Sequence, residues 1–239
     1  MSKTGDGLKS EALLAALQEA LRGSSTRLED LLARHGGVGR PNVKLAAAFG
    51  AEVATLPGPL APLLHKLGGE DAAPDDARVF LPVAAAHGWT HRLREGLEVE
   101  AAWSALVELA ADERGPVRVG TLDALITFAA REGSADQLID RARQWLFVED
   151  RELRFGAAAL VIEAIGDSKL LSVVRDHEAL LTYLSEAIDV VADAPRSAER
   201  SDARRRVLTS LSLALASVVA VVRAGDRGLV WFEEQSARA

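Results

Sequence analysis

Apolar residues recur every three or four positions through most of this chain, the period of a helix lying on a core. Leu13, Leu14, Leu17 and Leu21 share one face of a predicted helix over 8–21, with Glu11, Gln18 and Glu19 near the other. Ser24, Ser25 and Thr26 offer caps for a short helix over 28–35. A helix is predicted over 42–55, after which Pro57, Pro59 and Pro62 lead through a loop into a short helix ending at Leu67. Residues 68–76 are polar and read as a loop, with Asp75 or Asp76 as the next cap. Pro82 lies inside the following segment, 78–87, which is therefore expected to kink or break there, and 89–97 reads as a separate short helix. Further helices are predicted over 98–111, 117–131, 135–148, 152–165, 170–177 and 179–191. Residues 192–206 break the rhythm, 207–222 are almost wholly apolar, and 228–234 read as a last helix. Runs with the two-residue period of strands are scarce, so the expected class is all-α.

One stretch repeats. Gly115 and Pro116 end one periodic segment and open another, in which Val117, Thr121, Ala124, Leu125 and Phe128 keep helical spacing until Gly133, with Ser134 as the next N-cap. Thirty-six residues on, Val117-Arg118 aligns with Leu153-Arg154, Gly120 with Gly156 and Ala124 with Leu160. Fainter copies begin near Pro41, Asp76 and Asp202, with Lys44, Arg78 and Arg206 as their basic anchors. About five units of helix, tight turn and helix at this spacing are the signature of an α-α superhelix, or solenoid.

At these residues the chain resembles the HEAT-repeat family of armadillo-like helical proteins. That family carries an acidic residue in the inter-helix turn and a basic residue six positions later, as Asp112 and Arg118 do; the acid is displaced in the copies at Asp150 with Arg154 and Asp202 with Arg206. The resemblance implies one right-handed solenoid domain over 8–239, preceded by a loose segment 1–7 and carrying an insertion at 192–206 in its last repeat. It also implies that the second helices line a concave ligand face.

Composition narrows the function classes. The chain is 49% hydrophobic but only 5% aromatic, so Ala and Leu supply the core, as closely packed helices allow. A net charge of −7 works against general attraction to phosphate backbones, so nucleic acid is disfavoured as a partner. With no Cys there are no disulfides, thiolate metal sites or Cys nucleophiles. The N-terminal residues lack an apolar signal core, which points to the cytoplasm, and the excess of Arg over Lys points to a GC-rich bacterial source. The apolar run 207–222 spans about 24 Å as helix, short of a membrane crossing, and its Thr209, Ser210, Ser212 and Ser217 argue for a buried helix.

Candidate chemistry is sparse. Gly36, Gly37 and Gly39 read as a helix stop and turn, since no strand precedes them and no Lys-Ser/Thr follows. His87, His91 and Glu95 would share a face of an unbroken helix and could ligate a metal; with Pro82 and Gly88 among them they read instead as turn and surface residues. The HEAT-like metal hydroxylases use several His-Glu pairs, against the single pair His177-Glu178 here, and no G-x-S-x-G nucleophile turn occurs. No catalytic residue, metal or cofactor is assigned. Arg196, Arg200, Arg204 and Arg205 are candidates for contacting an anionic ligand, or else a self-neutralised solvated face with Asp193, Glu199 and Asp202. A stripe of small and polar residues, Pro116, Gly120, Asp123 and Thr127, recurs as Glu152, Gly156, Ala159 and Glu163. It is either a ligand face or a place where glycine lets helices pack closely.

The expected function is thus a non-enzymatic adaptor or scaffold binding another protein on the concave face through Asp123, Thr127, Arg131, Glu152 and Glu163. The alternative, by resemblance of architecture, is the HEAT-like alkylpurine DNA glycosylases, for which Trp103, Trp145 and Asp150 are the candidate site. A third reading is a subunit whose segments 1–7 and 192–206 order within a larger assembly. Nothing in the pattern sets an oligomeric state.

Overall fold

Side-chain caps set many of the helix starts. Asn42 accepts a hydrogen bond from the Leu45 N–H (3.2 Å), Asp150 from Leu153 (3.0 Å), Asp176 from Ala179 (2.8 Å) and Ser201 from Arg204 (3.1 Å), each satisfying a donor that has no partner inside the helix. The computed structural model describes residues 10–222 and 227–238, and these are helical with no strand. The segment 1–7, read as loose from its sequence, lies outside the described residues. Two compact units divide the chain, Met1–Ala124 and Leu125–Ala239.

In the first unit α1 (Ser10–Leu21), α2 (Thr26–Gly36), α3 (Val43–Thr55), α4 (Ala61–Gly68), α5 (Phe80–Arg94) and α6 (Val99–Ala111) precede α7 (Gly115–Ala129), which runs on into the second unit. The centre is α5, buried from Phe80 to Thr90 without interruption and packed against α2, α3, α4 and α6. This corrects the expected kink at Pro82 and the split of 78–97 into two pieces. Pro82 is the third residue of α5, in the first turn, where a missing N–H breaks no helical hydrogen bond. Gly88 sits mid-helix because a side chain has no room there: a Cβ would lie 2.6 Å from Leu64 Cδ2. Gly50 of α3 does the same from the other side, where a Cβ would lie 2.7 Å from the His87 carbonyl oxygen. Backbone cannot yield as a side chain does, so Gly50→Ala is expected to lower stability by about 1–3 kcal/mol. A urea titration reads this as a lower midpoint at unchanged slope.

Glu29 ties the start of this unit together. Its buried carboxylate accepts hydrogen bonds from Ser25 Oγ (2.6 Å) and Arg78 Nη2 (3.1 Å) and pairs with Lys66 Nζ (2.7 Å). Burial alone would raise its pKa; the hydrogen bonds from Lys66, Ser25 and Arg78 outweigh that and hold it at about 2.

The second unit holds α8 (Ser134–Trp145), α9 (Arg151–Ile165), the single turn α10 (Ser168–Leu171), α11 (His177–Ala192), α12 (Asp202–Val221) and α13 (Arg227–Arg238). Its centre is α9, buried from Phe155 to Ile162 and again at Ala164 and Ile165, with α12 packed along it. Two expectations are corrected. The helix read over 170–177 is only α10, because Asp136 accepts from the N–H groups of Arg175 and Asp176 (3.1 Å each) and draws the chain away before α11. The residue before α8 is Gly133, left-handed at φ 80°, so Ser134 is a helical residue rather than the cap. Residues 196–200 form a 3-10 turn and α12 begins at Asp202, so Arg204 and Arg205 lie in its first turn. No helix of the described residues is long and apolar enough to cross a membrane.

Arg118 and Arg154, thirty-six residues apart, make matching contacts. Arg118 donates to the carbonyl of Asp112 (3.0 Å), six residues back, and to that of Glu113. Arg154 donates to the carbonyl of Val148 (2.7 Å), also six back, and to that of Glu149 (3.5 Å). Each guanidinium thus closes the turn ahead of its own helix. Arg78 is used differently, pairing with Glu29 and Glu70.

Candidate functional site

After α8 the chain turns at Leu146–Asp150, and Phe147 is left 71% exposed. Beside it lies a groove of about 490 Å³ between the start of α9, the outer face of α11 and the loop that follows α11. Its apolar lining includes Leu146, Phe155, Val190 and Pro195, and a shallower hollow shares Arg151, Arg154 and Pro195 with it. That volume falls within the range of small-molecule and peptide-anchor pockets.

The walls are charged unequally. Glu186, Asp189 and Asp193 come from α11 and its C-cap, at a spacing that puts them on one helix face; Glu149, Asp150 and Glu152 line the shallower hollow. Against these six carboxylates stand two guanidiniums, Arg151 and Arg154. Both have structural partners: Arg154 holds the Val148 and Glu149 carbonyls, and Arg151 donates to Ser197 Oγ (3.3 Å). Glu186 is neutralised by Arg143 through two hydrogen bonds of 2.9 and 2.6 Å, an interaction that also holds the Arg143 pKa above its ordinary value. Asp193 and Glu149 are exposed at the rim. Acids at the C-terminal end of α11, where the last turn has no basic residue, oppose the helix dipole, so their placement does not serve the stability of that helix.

Of the residues singled out from sequence, Glu152 lies in this hollow and accepts a hydrogen bond from Ser201 Oγ (2.8 Å). Glu163 is exposed three turns further along α9, and Thr127 and Arg131 are exposed as well. Asp123 belongs to the first unit, 43% exposed, with its Oδ2 3.6 Å from Nε2 of His87. Gly120 is buried, and a Cβ there would overlap Val83 of α5, so at this position close packing accounts for the glycine. Gly156 and Ala159 are buried in α9. Arg196 and Arg200 are exposed; Arg204 donates to the Val191 carbonyl (3.2 Å) and Arg205 pairs with Asp202.

Of His87, His91 and Glu95, read from sequence as turn and surface residues, Glu95 is exposed and His91 half-buried, but His87 is not at the surface. His87 is fully buried, and neither ring nitrogen makes a hydrogen bond. Burial pushes its pKa down to about 4, the nearby His91 and Arg94 act in the same direction, and the Gly120 carbonyl acts against them. Among the described residues no three metal-ligating side chains come together. Trp103 and Trp145 are buried at 2% and 5% exposure, whereas Asp150, the N-cap of α9, is exposed and lines the shallower hollow.

Sequence reading missed Phe147 and the α11 acids. The signal available was a large aromatic in a turn between two apolar helices, followed at once by Glu149 and Asp150. Compared with known proteins, the chain matches no family model, no curated protein and no solved structure.

Proposed function

We propose that this protein is a non-enzymatic adaptor, a short solenoid of HEAT-like helical repeats that works in the cytoplasm by binding a segment of another protein. The matching clamps of Arg118 and Arg154 support the repeat reading. The binding reading is carried by one observation: an aromatic side chain, Phe147, stands 71% exposed beside a groove with three carboxylates, and the adjoining shallower hollow adds three more, against two structurally engaged arginines. The chemistry that fits is a basic segment with one apolar anchor. The anchor covers Phe147, Val190 and Pro195, while Lys or Arg side chains meet Asp193 and Glu149. Buried aromatic anchors dominate such interfaces, and rim charges set the on-rate and its salt dependence.

A fluorescent Lys-rich amphipathic peptide titrated into the full chain tests this. Binding is expected to weaken about tenfold or more in Phe147→Ser and in Asp193→Lys, as expected for loss of an anchor and reversal of a rim charge, and to fall with added salt. The circular dichroism of both variants should stay that of the parent. Parent-like binding by both variants would show the groove to be unused. The repeated stripe is tested in the same titration: if Asp123→Asn with Glu163→Gln abolishes binding while Phe147→Ser does not, the partner sits on the stripe instead.

A further inference from the structure

The two C-terminal helices carry a second surface, of opposite character. The inward face of α12, with Ala203, Val207, Leu211, Ala214 and Val218 buried, packs on α9. Its outward face is uncharged, with large apolar side chains among small hydroxyl residues: Leu208 is 45% exposed, Leu213 73% and Val221 41%, and Thr209 and Ser217 are exposed beside them. Between them lie exposed Ser212, Ala216 and Ala220. From Val207 to Val222 there is no charged residue. Next to it α13 is anchored by Trp231, whose indole N–H donates to Ser185 Oγ (2.8 Å), and it leaves Leu229, Val230 and Phe232 exposed. Apolar side chains exposed singly are ordinary, but a contiguous set on packed neighbouring helices marks an interface.

We infer that α12 and α13 are the surface through which two copies of this chain pair, with the α12 helices antiparallel about a two-fold axis near Leu213. Three observations select a second copy as the occupant. Two chains of charge −7 repel, and the uncharged strip 207–222 of α12 lets them meet with no like charges opposed at the centre of the contact, although Glu233 and Glu234 of α13 are exposed. A two-fold contact needs a self-complementary surface, and here a low ridge of Ser212, Ala216 and Ala220 runs beside a second one carrying Leu213 and Val221. Leu213 then meets the partner's Leu213 at the axis, the small residues Ser212 and Ala216 beside it let the two helices approach closely, and antiparallel helices oppose their dipoles favourably. The size also fits. An α12 face about 24 Å long, with α13 beside it, offers on the order of 600–800 Å² per copy, against roughly 800 Å² per partner in a standard stable interface. This inference is independent of the groove reading.

Sedimentation velocity of the full chain across a hundredfold range of concentration is the test. The expected result is a reversible monomer–dimer equilibrium, shifted at least about tenfold toward monomer by Leu213→Lys, a charge placed at the centre of the contact. Leu213 is mostly exposed, so that variant should fold with unchanged circular dichroism. The chain has no cysteine, so Leu213→Cys under mild oxidation gives an unambiguous second readout. Antiparallel pairing at Leu213 brings the two thiols together, and a disulfide-linked dimer forms in high yield at concentrations where the parent is dimeric. A parent that stays monomeric throughout overturns the inference, as does a dimer unaffected by Leu213→Lys. A monomer that instead floats with anionic lipid vesicles would assign the face to a membrane surface and overturn it equally.

Discussion

Replacing Arg92 by Ala is expected to lower the unfolding free energy by about 3–5 kcal/mol, the cost of breaking a buried ion pair by removing one partner. Arg92 is only 2% exposed. Its Nε donates to Glu98 Oε2 (2.9 Å), its Nη1 to the Leu56 carbonyl (3.1 Å) and its Nη2 to the Gly58 carbonyl (2.8 Å). The other oxygen of Glu98 accepts from the N–H groups of Leu60 (2.9 Å) and Ala61 (2.8 Å), which open α4. One salt bridge therefore holds the proline-rich loop, caps the next helix and fixes the end of α5. It also restrains Glu98 in a left-handed conformation, φ 49°, which costs a non-glycine residue roughly 1–2 kcal/mol. Removing the guanidinium leaves a part-buried carboxylate and two carbonyls without their donor. Arg92→Lys should recover little, since a point charge cannot address three acceptors in a fixed fork. Domain stabilities run at about 5–15 kcal/mol, so Arg92→Ala should lie near the edge of folding at room temperature. Urea denaturation read by circular dichroism measures the difference. A loss below about 1 kcal/mol would mean the loop is held by something other than this clamp.

The second large effect is one of pH. His87 titrates at about 4 in the fold against an ordinary value of 6.5, chiefly because burial disfavours its charged form. The unfolded chain therefore takes up the proton first as the solution is acidified. The stability that His87 contributes by staying neutral is complete above about pH 6.5 and is lost progressively down to about pH 4, on the order of 3 kcal/mol in all. Asp123, 3.6 Å away, attracts the imidazolium, but at 43% exposure it is screened by water. Glu29 acts lower down. Its carboxyl titrates at about 2 in the fold against 4.5, so its contribution is present above pH 4.5 and is lost as the pH falls toward 2. Stability measured by urea titration from about pH 7 to about pH 3 should thus fall in two stages. His87→Asn should remove the upper stage and leave the lower. An unchanged profile in that variant would place the titrating group elsewhere.

The residues behind these effects differ in how far they could be read in advance. The all-α class was legible throughout, because an apolar residue every three or four positions is a property of a dozen neighbouring residues. The cap at Asp76, one of two offered, and the boundaries of α6 and α9 followed for the same reason: a cap acts on an N–H two or three residues away. The matching positions of Arg118 and Arg154 were legible too, but their bonds to backbone carbonyls six residues back were not. Local rules failed at Pro82 and Gly88. Proline in a first turn and glycine under a neighbouring helix look the same in sequence as a break, and only Phe49 and Leu64, packed against Gly88, tell them apart. Of the candidate site, Glu152 was found because it falls in the repeat, whereas Phe147 and Asp193 were not.

What this sequence determined by itself is the helical content, most helix boundaries, the absence of disulfides and the thirty-six-residue spacing of Arg118 and Arg154. The tertiary structure alone decided that Arg92 reaches a loop 34 to 36 residues away, that His87 is buried without a hydrogen bond, and that Phe147 stands exposed beside carboxylates from α11. The physical reason is range. Backbone hydrogen bonding and capping act over about four residues and leave a periodic trace in any short window. Burial, ion pairing across loops and the walls of a groove depend on which helices pack together, and no local window carries that information.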